Sequence, residues 1–285
     1  MLEFYGTRVH HRGQWMIHGY LRNLLRANAD SRLLVVREGL KWELNPSDFV
    51  HQDLFWYGAK DYWDVYHIRR MLLPGDVIFD IGANFGYYSI RLASHLDRKC
   101  TVYSFEPFPS TFQLLKHHIE INGMDTCANA YQLAFSDTAG SMTMSVRVTG
   151  NSGSASLSSH GIDDVAVEVV TLDNFCESSS ISRADFIKID VEGFEASVLR
   201  GGSRVIDTMS PIIFLEVDPP LLRKANTSVD ELVTILNGHG FSLYRADREK
   251  LIPFAGLADH ESYQNIFCVK PAHVGRMRGD GLRIE

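Results

Sequence analysis

Chemistry is most legible in the run Asp80-Ile81-Gly82-Ala83-Asn84-Phe85-Gly86-Tyr87-Tyr88-Ser89, which closes an apolar stretch and opens a helical pattern. Glycines at such a junction allow a tight turn and a close approach of backbone to a ligand at a helix start. The loop differs from the dinucleotide pattern: Asn84 stands where that pattern has its middle glycine, and Asp80 puts a carboxylate where a pyrophosphate would be repelled. It therefore suits a nucleoside-like ligand without phosphates. S-adenosylmethionine has that property, and its ammonium and sulfonium groups are compatible with an acid such as Asp80.

A second signal is Val102-Tyr103-Ser104-Phe105-Glu106-Pro107, an apolar strand ending in an acid 24 residues beyond Gly82. An acid at the end of a second strand can accept both hydroxyls of a ribose, which makes Glu106, followed by Pro107, the ribose candidate. A third strand leads into Ala134-Phe135-Ser136-Asp137, where Ser136 and Asp137 are candidates for the adenine edge; an ordinary polar turn is the competing reading.

The fourth is Asp185-Phe186-Ile187-Lys188-Ile189-Asp190-Val191-Glu192-Gly193-Phe194-Glu195. Strand alternation puts Lys188 and Asp190 on one side with Glu192 just beyond, and Glu216, at the end of a later strand, can converge there. Asp190 and Glu192 are the preferred proton acceptors, with Lys188 and Glu216 beside them; mutual ion pairing is the structural alternative. Hard cations prefer oxygen ligands, so Asp190, Glu192 and Glu216 are also candidate ligands for a divalent metal that spacing alone does not establish. His160, alone on a Ser/Gly-rich loop, is a weaker base candidate.

These groups need a scaffold that brings strand ends together. From Gly75 onward, short β-branched runs alternate with helical segments, which is how βαβ units and a parallel sheet read in sequence. Seven strands are expected: Val77–Ile81, Thr101–Phe105, and residues 130–134, 186–191, 211–217, 241–244 and 265–269. Pro109 and Gly123 bracket one helix. Residues 142–148 and 165–170 form two inserted strands around a Ser/Gly tract, residues 150–161, that reads as a flexible loop or an active-site lid. Upstream, residues 33–36 and 40–44 flank Arg37-Glu38-Gly39 as a hairpin, and residues 14–27 can form an amphipathic helix expected to dock on the core. The expected organisation is an N-terminal helix and hairpin extension at residues 1–60, the main domain at 61–270, and a tail at 271–285.

Composition narrows the partners. With 45% hydrophobic residues among 285, the chain can bury a core, and 28 basic against 35 acidic residues leave a net charge of -7. That balance disfavours nucleic acid. Four scattered cysteines suggest reduced thiols and a cytoplasmic setting, and no membrane span or leader is read.

Taken together, the motifs resemble the FkbM-type methyltransferases. Residues 77–89 match that family's cofactor loop, Phe105-Glu106-Pro107 its ribose segment, residues 134–137 its third-strand exit, and Ile187-Lys188-Ile189-Asp190-Val191-Glu192-Gly193 its most distinctive signature. The resemblance spans roughly residues 33–270. It implies an α/β, Rossmann-like seven-stranded methyltransferase sheet with helices on both faces, S-adenosylmethionine as cofactor, and O-methylation of a small-molecule or carbohydrate acceptor such as a sugar or polyketide-like natural product.

Two other classes compete. A nicotinamide-dependent oxidoreductase shares the glycine turn and ribose acid but requires the missing second glycine, whereas a catalytically silent cofactor- or glycan-binding module would show no turnover. Asp218-Pro219-Pro220-Leu221 is similar to the Asp-Pro-Pro-aromatic signature of amino-methylating nucleic-acid enzymes. It follows the fifth strand, however, and Leu221 offers no stacking face for a flipped base.

Overall fold

The computed structural model describes residues 32–59, 61–146, 155–156, 164–257, 263–278 and 283–284. The proposed N-terminal amphipathic helix and His160 lie outside these residues, as does all of the Ser/Gly tract except Ala155 and Ser156.

The chain opens with the expected hairpin, β1 (Leu33–Arg37) and β2 (Leu40–Leu44), paired antiparallel. Its two-residue turn, Glu38-Gly39, has φ of +49° and +76°, the left-handed pair that matches the twist of the flanking strands. Helix α1 (Phe49–Tyr57) follows, capped by Asp48, whose side chain accepts from the Val50 N–H, and ended by Gly58 at φ +79°. Helix α2 (Tyr62–Met71) leads into the main sheet.

The parallel part of that sheet has β3 (Val77–Ile81) in its middle, then β4 (Thr101–Phe105) and β5 (Ala128–Tyr131) on one side. The chain then returns to the other side of β3 as β10 (Phe186–Ile189) and β11 (Ile212–Val217), all five strands parallel. Strands β12 (Ser242–Asp247), β13 (Lys250–Pro253) and β14 (Gln264–Val269) extend the sheet as an antiparallel group, and β15 (Arg283–Ile284) joins β13 at the edge. Beside β3, β4, β10, β11, β12 and β14 at expected positions, and β5 overlapping one, β13 and β15 were not expected, so the sheet has nine strands among the described residues. Strand order reverses between β3 and β10, the kind of crevice where open α/β sheets bind ligands.

Alternation sorts the side chains into two cores. Ile78, Val102, Phe186 and Phe214 pack beneath α2, α3 (Tyr87–His95), α4 (Pro109–Ile121) and the hairpin. Phe79, Ile81, Phe105, Ile187 and Leu215 pack with α5 (Leu172–Ser178), α6 (Glu195–Gly201), α7 (Ser203–Met209) and the later α9 (Val229–Gly238) on the opposite face. Between them in sequence, α8 (Pro219–Lys224) begins within Asp218-Pro219-Pro220, where Asp218 accepts from the Leu221 N–H as a helix cap.

The third strand departs from expectation. Residues 130–134 do not form one strand: β5 ends at Tyr131, and β6 (Ala134–Phe135) belongs to a second sheet of order β6-β9-β7-β8. There β9 (Asp164–Val170) runs parallel to β6, and β7 (Gly140–Val146) pairs antiparallel with both β9 and β8 (Ala155–Ser156). The apolar pattern continues through the break because Ala134 and Phe135 are buried in their new sheet too, so hydrophobicity alone does not mark the change of partner.

Candidate functional site

A cavity of about 290 Å³ opens at the carboxyl ends of β3, β4, β10 and β11. Its first wall is the loop after β3. Gly82 has φ +76°, and a Cβ there would sit 1.8 Å from the Asp190 carbonyl oxygen, so only glycine lets the β3 and β10 exits close on each other. The Gly82 and Ala83 N–H groups donate to the Phe105 carbonyl at 3.0 and 2.8 Å, which ties the loop to β4. Asn84 accepts the left-handed conformation at φ +49° and its Oδ1 accepts from the Phe85 N–H, a self-contained turn that asparagine manages without a glycine.

Glu106 is buried at the end of β4 with 6% of its surface exposed. Its Oε2 accepts from the Asn84 N–H at 3.0 Å and its Oε1 from the Phe108 N–H at 2.9 Å. Burial raises its pKa to about 7, against the lowering effect of those two backbone bonds. A carboxylate offers about four acceptor positions, so two remain for a ligand in the cavity. Leu133, Ala134 and Phe135 form the apolar wall beyond Glu106 and Pro107, and they reach the cavity because β6 has left the main sheet.

The opposite wall comes from β10 and β11. Lys188, almost wholly buried, donates from Nζ to the Gly82 carbonyl at 2.6 Å. The same Nζ lies 3.3 Å from Asp80 Oδ1 and 3.4 Å from Asp190 Oδ2, and 5.5 Å from the centre of the Tyr88 ring. Asp80 is completely buried, and its Oδ2 accepts from the Ser89 N–H and hydroxyl at 2.9 and 2.6 Å. Lys188 therefore ties the buried Asp80 to Asp190, whose side chain is one-third exposed and lines the cavity with Glu192 and Glu216.

The loop after β10 is held from behind by Glu195. Its Oε1 accepts from the Val191 and Gly193 N–H groups at 3.1 and 3.2 Å, and burial raises its pKa to about 7. Glu192 sits at φ +55°, a left-handed position. Gly193, at φ +103°, could not carry a side chain, because its Cβ would lie 2.5 Å from the Leu221 carbonyl oxygen.

Of the residues singled out in sequence, Gly82, Ala83, Asn84, Tyr87, Glu106, Pro107, Lys188, Asp190, Glu192 and Glu216 line this one cavity. Asp80 and Gly86 lie outside its lining: Asp80 sits beneath the loop, and a Cβ on Gly86 would meet Leu115 at 2.8 Å, so both shape the turn. Ser136 and Asp137 also lie outside the lining. Ser136 is buried at the start of the turn, its N–H donating to the Val170 carbonyl, and Asp137 pairs with Arg200 at 3.3 Å. Among the described residues, no group of three or more His, Cys, Asp or Glu side chains is placed to hold a metal ion, so Asp190, Glu192 and Glu216 share a cavity without forming a metal cluster.

Several contributors had no role in the sequence reading. His118 donates from Nδ1 to the Phe85 carbonyl at 2.7 Å and accepts from the Glu43 N–H at Nε2, 2.8 Å, linking the hairpin to the loop after β3. Burial holds its pKa down to about 4, and the ring lies edge-on to Trp42 and Phe85. Glu195, Phe49 and Tyr263 complete the surroundings. Glu195 carried a faint signal, as an acid at a helix start beside a glycine; Phe49 and Tyr263, which lie outside the motifs on either side, carry none.

Comparison with known proteins identifies the family. The model of the Methyltransferase FkbM domain matches residues 80–243. The chain is 30% identical over 220 residues to the 31-O-demethyl-FK506 methyltransferase FkbM of Streptomyces tacrolimicus, covering 67% of this chain and 80% of that protein. It is 27% identical over 196 residues to the hexuronic acid methyltransferase AglP of Haloferax volcanii, covering 63% and 78%. Among solved structures, the methyltransferase FkbM of Methylobacillus flagellatus aligns over 90% of this chain and 60% of that chain, with a TM-score of 0.46 and 15% identity. No helix among the described residues is long and apolar enough to cross a membrane. By its match to the FkbM domain and its likeness to these relatives, the chain, with its glycine loop, Glu106 and β10 exit gathered in one cavity, belongs to the FkbM domain family of S-adenosylmethionine-dependent methyltransferases.

Proposed function

We propose that the chain is an O-methyltransferase that moves the methyl group of S-adenosylmethionine to a hydroxyl of a small carbohydrate or polyketide-like acceptor, with residues 61–270 as the catalytic domain. The observation that carries this reading is the Glu106 carboxylate, fixed between two backbone N–H groups and facing a cavity whose opposite wall holds Asp190, Glu192 and Glu216. The relatives named for 31-O-demethyl-FK506 and hexuronic acid support the choice of a hydroxyl-bearing acceptor.

Bound S-adenosylmethionine supplies an electrophilic methyl on a sulfonium. Glu106 receives the ribose hydroxyls, Gly82, Ala83 and Asn84 bring backbone close, and Leu133, Ala134 and Phe135 give the adenine an apolar surface. The acceptor hydroxyl then lies at the β10 side. With the cofactor bound, a bond from the hydroxyl oxygen to the methyl carbon would form as the carbon–sulfur bond breaks, its electron pair staying on sulfur. The hydroxyl proton passes to a carboxylate, for which Asp190 and Glu192 are the candidates. Lys188 keeps Asp190 in place, and Glu195 fixes the backbone that presents Glu192. Alignment of acceptor and methyl is the principal demand of such a displacement.

The test separates binding from chemistry. Asp190→Asn and Glu192→Gln keep side-chain size, and loss of the proton acceptor lowers the methyl-transfer rate by about 10²–10⁴ while S-adenosylhomocysteine affinity stays near wild type. A folded variant of either kind that turns over at the wild-type rate removes that residue from the role. Failure of the wild type to bind S-adenosylhomocysteine at all refutes the reading as a whole.

A further inference from the structure

The cavity lining divides by origin. The wall of Gly82, Asn84 and Glu106 and the wall of Lys188, Asp190 and Glu216 both lie within the matched domain, residues 80–243. The lining also includes Phe49, Val50 and Asp53 on α1, and Tyr263 just before β14, none of which belongs to that region.

Two of these residues are large aromatics held in the open. Phe49 is 68% exposed and Tyr263 is 52% exposed, although both line the cavity. The neighbouring residues of α1 behave differently: His51, Leu54, Phe55 and Trp56 are buried and anchor the helix, while Phe49, Val50 and Asp53 are presented to the cavity. Packing gives Phe49 no reason to be aromatic, because little of its surface is covered. An aromatic ring at the rim of a polar cavity offers a flat apolar face, and Asp53, one turn further along α1, adds an acceptor for hydroxyl donors.

On the methyl-transfer reading above, the cofactor occupies the wall of Gly82, Asn84 and Glu106, and the acceptor lies between the β10 carboxylates and these flanking residues. We infer that Phe49 and Tyr263 form the acceptor platform, and that the acceptor is a pyranoside whose C–H face rests on these rings while its hydroxyls meet Asp53 and the β10 carboxylates. The residues that select the acceptor thus come from segments flanking the matched domain, and the residues that hold the cofactor come from inside it. Binding made equally in ground and transition states changes KM and leaves kcat alone, which gives the platform a distinct kinetic signature.

The experiment uses the full chain, tritiated S-adenosylmethionine and a panel of methyl hexopyranosides, neutral and uronate, together with calorimetric titration of S-adenosylhomocysteine. Wild-type protein methylates at least one member. Phe49→Ala and Tyr263→Ala each raise KM for it by about tenfold or more, with kcat and S-adenosylhomocysteine affinity within about twofold, whereas Tyr263→Phe, which keeps the ring, restores the wild-type KM. Both rings are exposed, so unchanged melting temperatures verify the fold. Unchanged KM in both alanine variants overturns the inference, as does a fall in kcat at constant KM. Wild-type protein that binds S-adenosylhomocysteine yet methylates no pyranoside also overturns it and leaves the methyl-transfer reading standing. Absence of S-adenosylhomocysteine binding removes that reading instead.

Discussion

If Glu106 receives the ribose hydroxyls, cofactor affinity must depend on pH in a calculable way. Both carboxylate oxygens already accept one backbone N–H each, at 2.9 and 3.0 Å, and burial raises the pKa to about 7. Two hydroxyl donors need the ionised form, since a protonated carboxyl loses an acceptor position. Binding is then linked to the release of one proton below pH 7. With that pKa, affinity falls about 25-fold between pH 7.5 and 5.5, and the limiting slope is about tenfold per pH unit, or about 1.4 kcal/mol. Calorimetry with S-adenosylhomocysteine, repeated in buffers of different ionisation enthalpy, reads both the slope and the proton. Glu106→Gln removes the ionisation and turns an amide NH₂ toward one of the two N–H donors, which costs about 1.5–3 kcal/mol and flattens the pH profile. A wild-type affinity that does not change from pH 5.5 to 7.5, or a folded Gln variant that binds as tightly as wild type, refutes the assignment.

Two further outcomes follow from the cavity walls. Burial raises the folded pKa of Glu195 from the ordinary 4.5 to about 7, so its contribution to stability is present below pH 4.5 and is lost as pH rises through 7. Glu195→Gln keeps the acceptor for Val191 and Gly193 without the charge, so chemical denaturation should find the variant gaining about 3 kcal/mol on wild type between pH 4.5 and 8; a difference constant with pH contradicts the burial argument. Gly82→Ala forces a Cβ to 1.8 Å from the Asp190 carbonyl at a left-handed backbone position, and thermal melting should show a loss of about 3 kcal/mol or more together with loss of S-adenosylhomocysteine binding. A stable Ala variant with normal affinity would mean that the β3 and β10 exits are free to separate.

Local chemistry made much of this protein readable from its residues in order. Strands β3 and β4 were bounded correctly because apolar runs end there in Asp80-Ile81-Gly82 and Glu106-Pro107, and the hairpin turn followed from Glu38-Gly39. Alternation placed Lys188 and Asp190 on one side at the end of β10, where they form an ion pair at 3.4 Å. These features depend on backbone periodicity and turn geometry, which act over a few residues.

Other features depend on which distant segments meet, and tertiary structure alone decided them. Asp80 reads as a ligand in sequence, yet in-register pairing of β3 with β10 sets it opposite Lys188, and α3 supplies Ser89, so it is consumed inside the protein. The chain leaves the main sheet after Tyr131 because β6 finds β9 as its partner, which brings Leu133 to Phe135 to the cavity and leaves Ser136 and Asp137 outside it. His118 reads as one more polar residue on a helix until the hairpin packs beside it and both ring nitrogens find backbone partners. Phe49 and Tyr263, more than 200 residues apart, line one cavity because α1 and the approach to β14 converge there. Strand and turn identity is a local free-energy choice that a short window of sequence carries; pairing partners, burial and the contents of a cavity depend on contacts between remote segments, whose energies appear only when the chain has closed on itself.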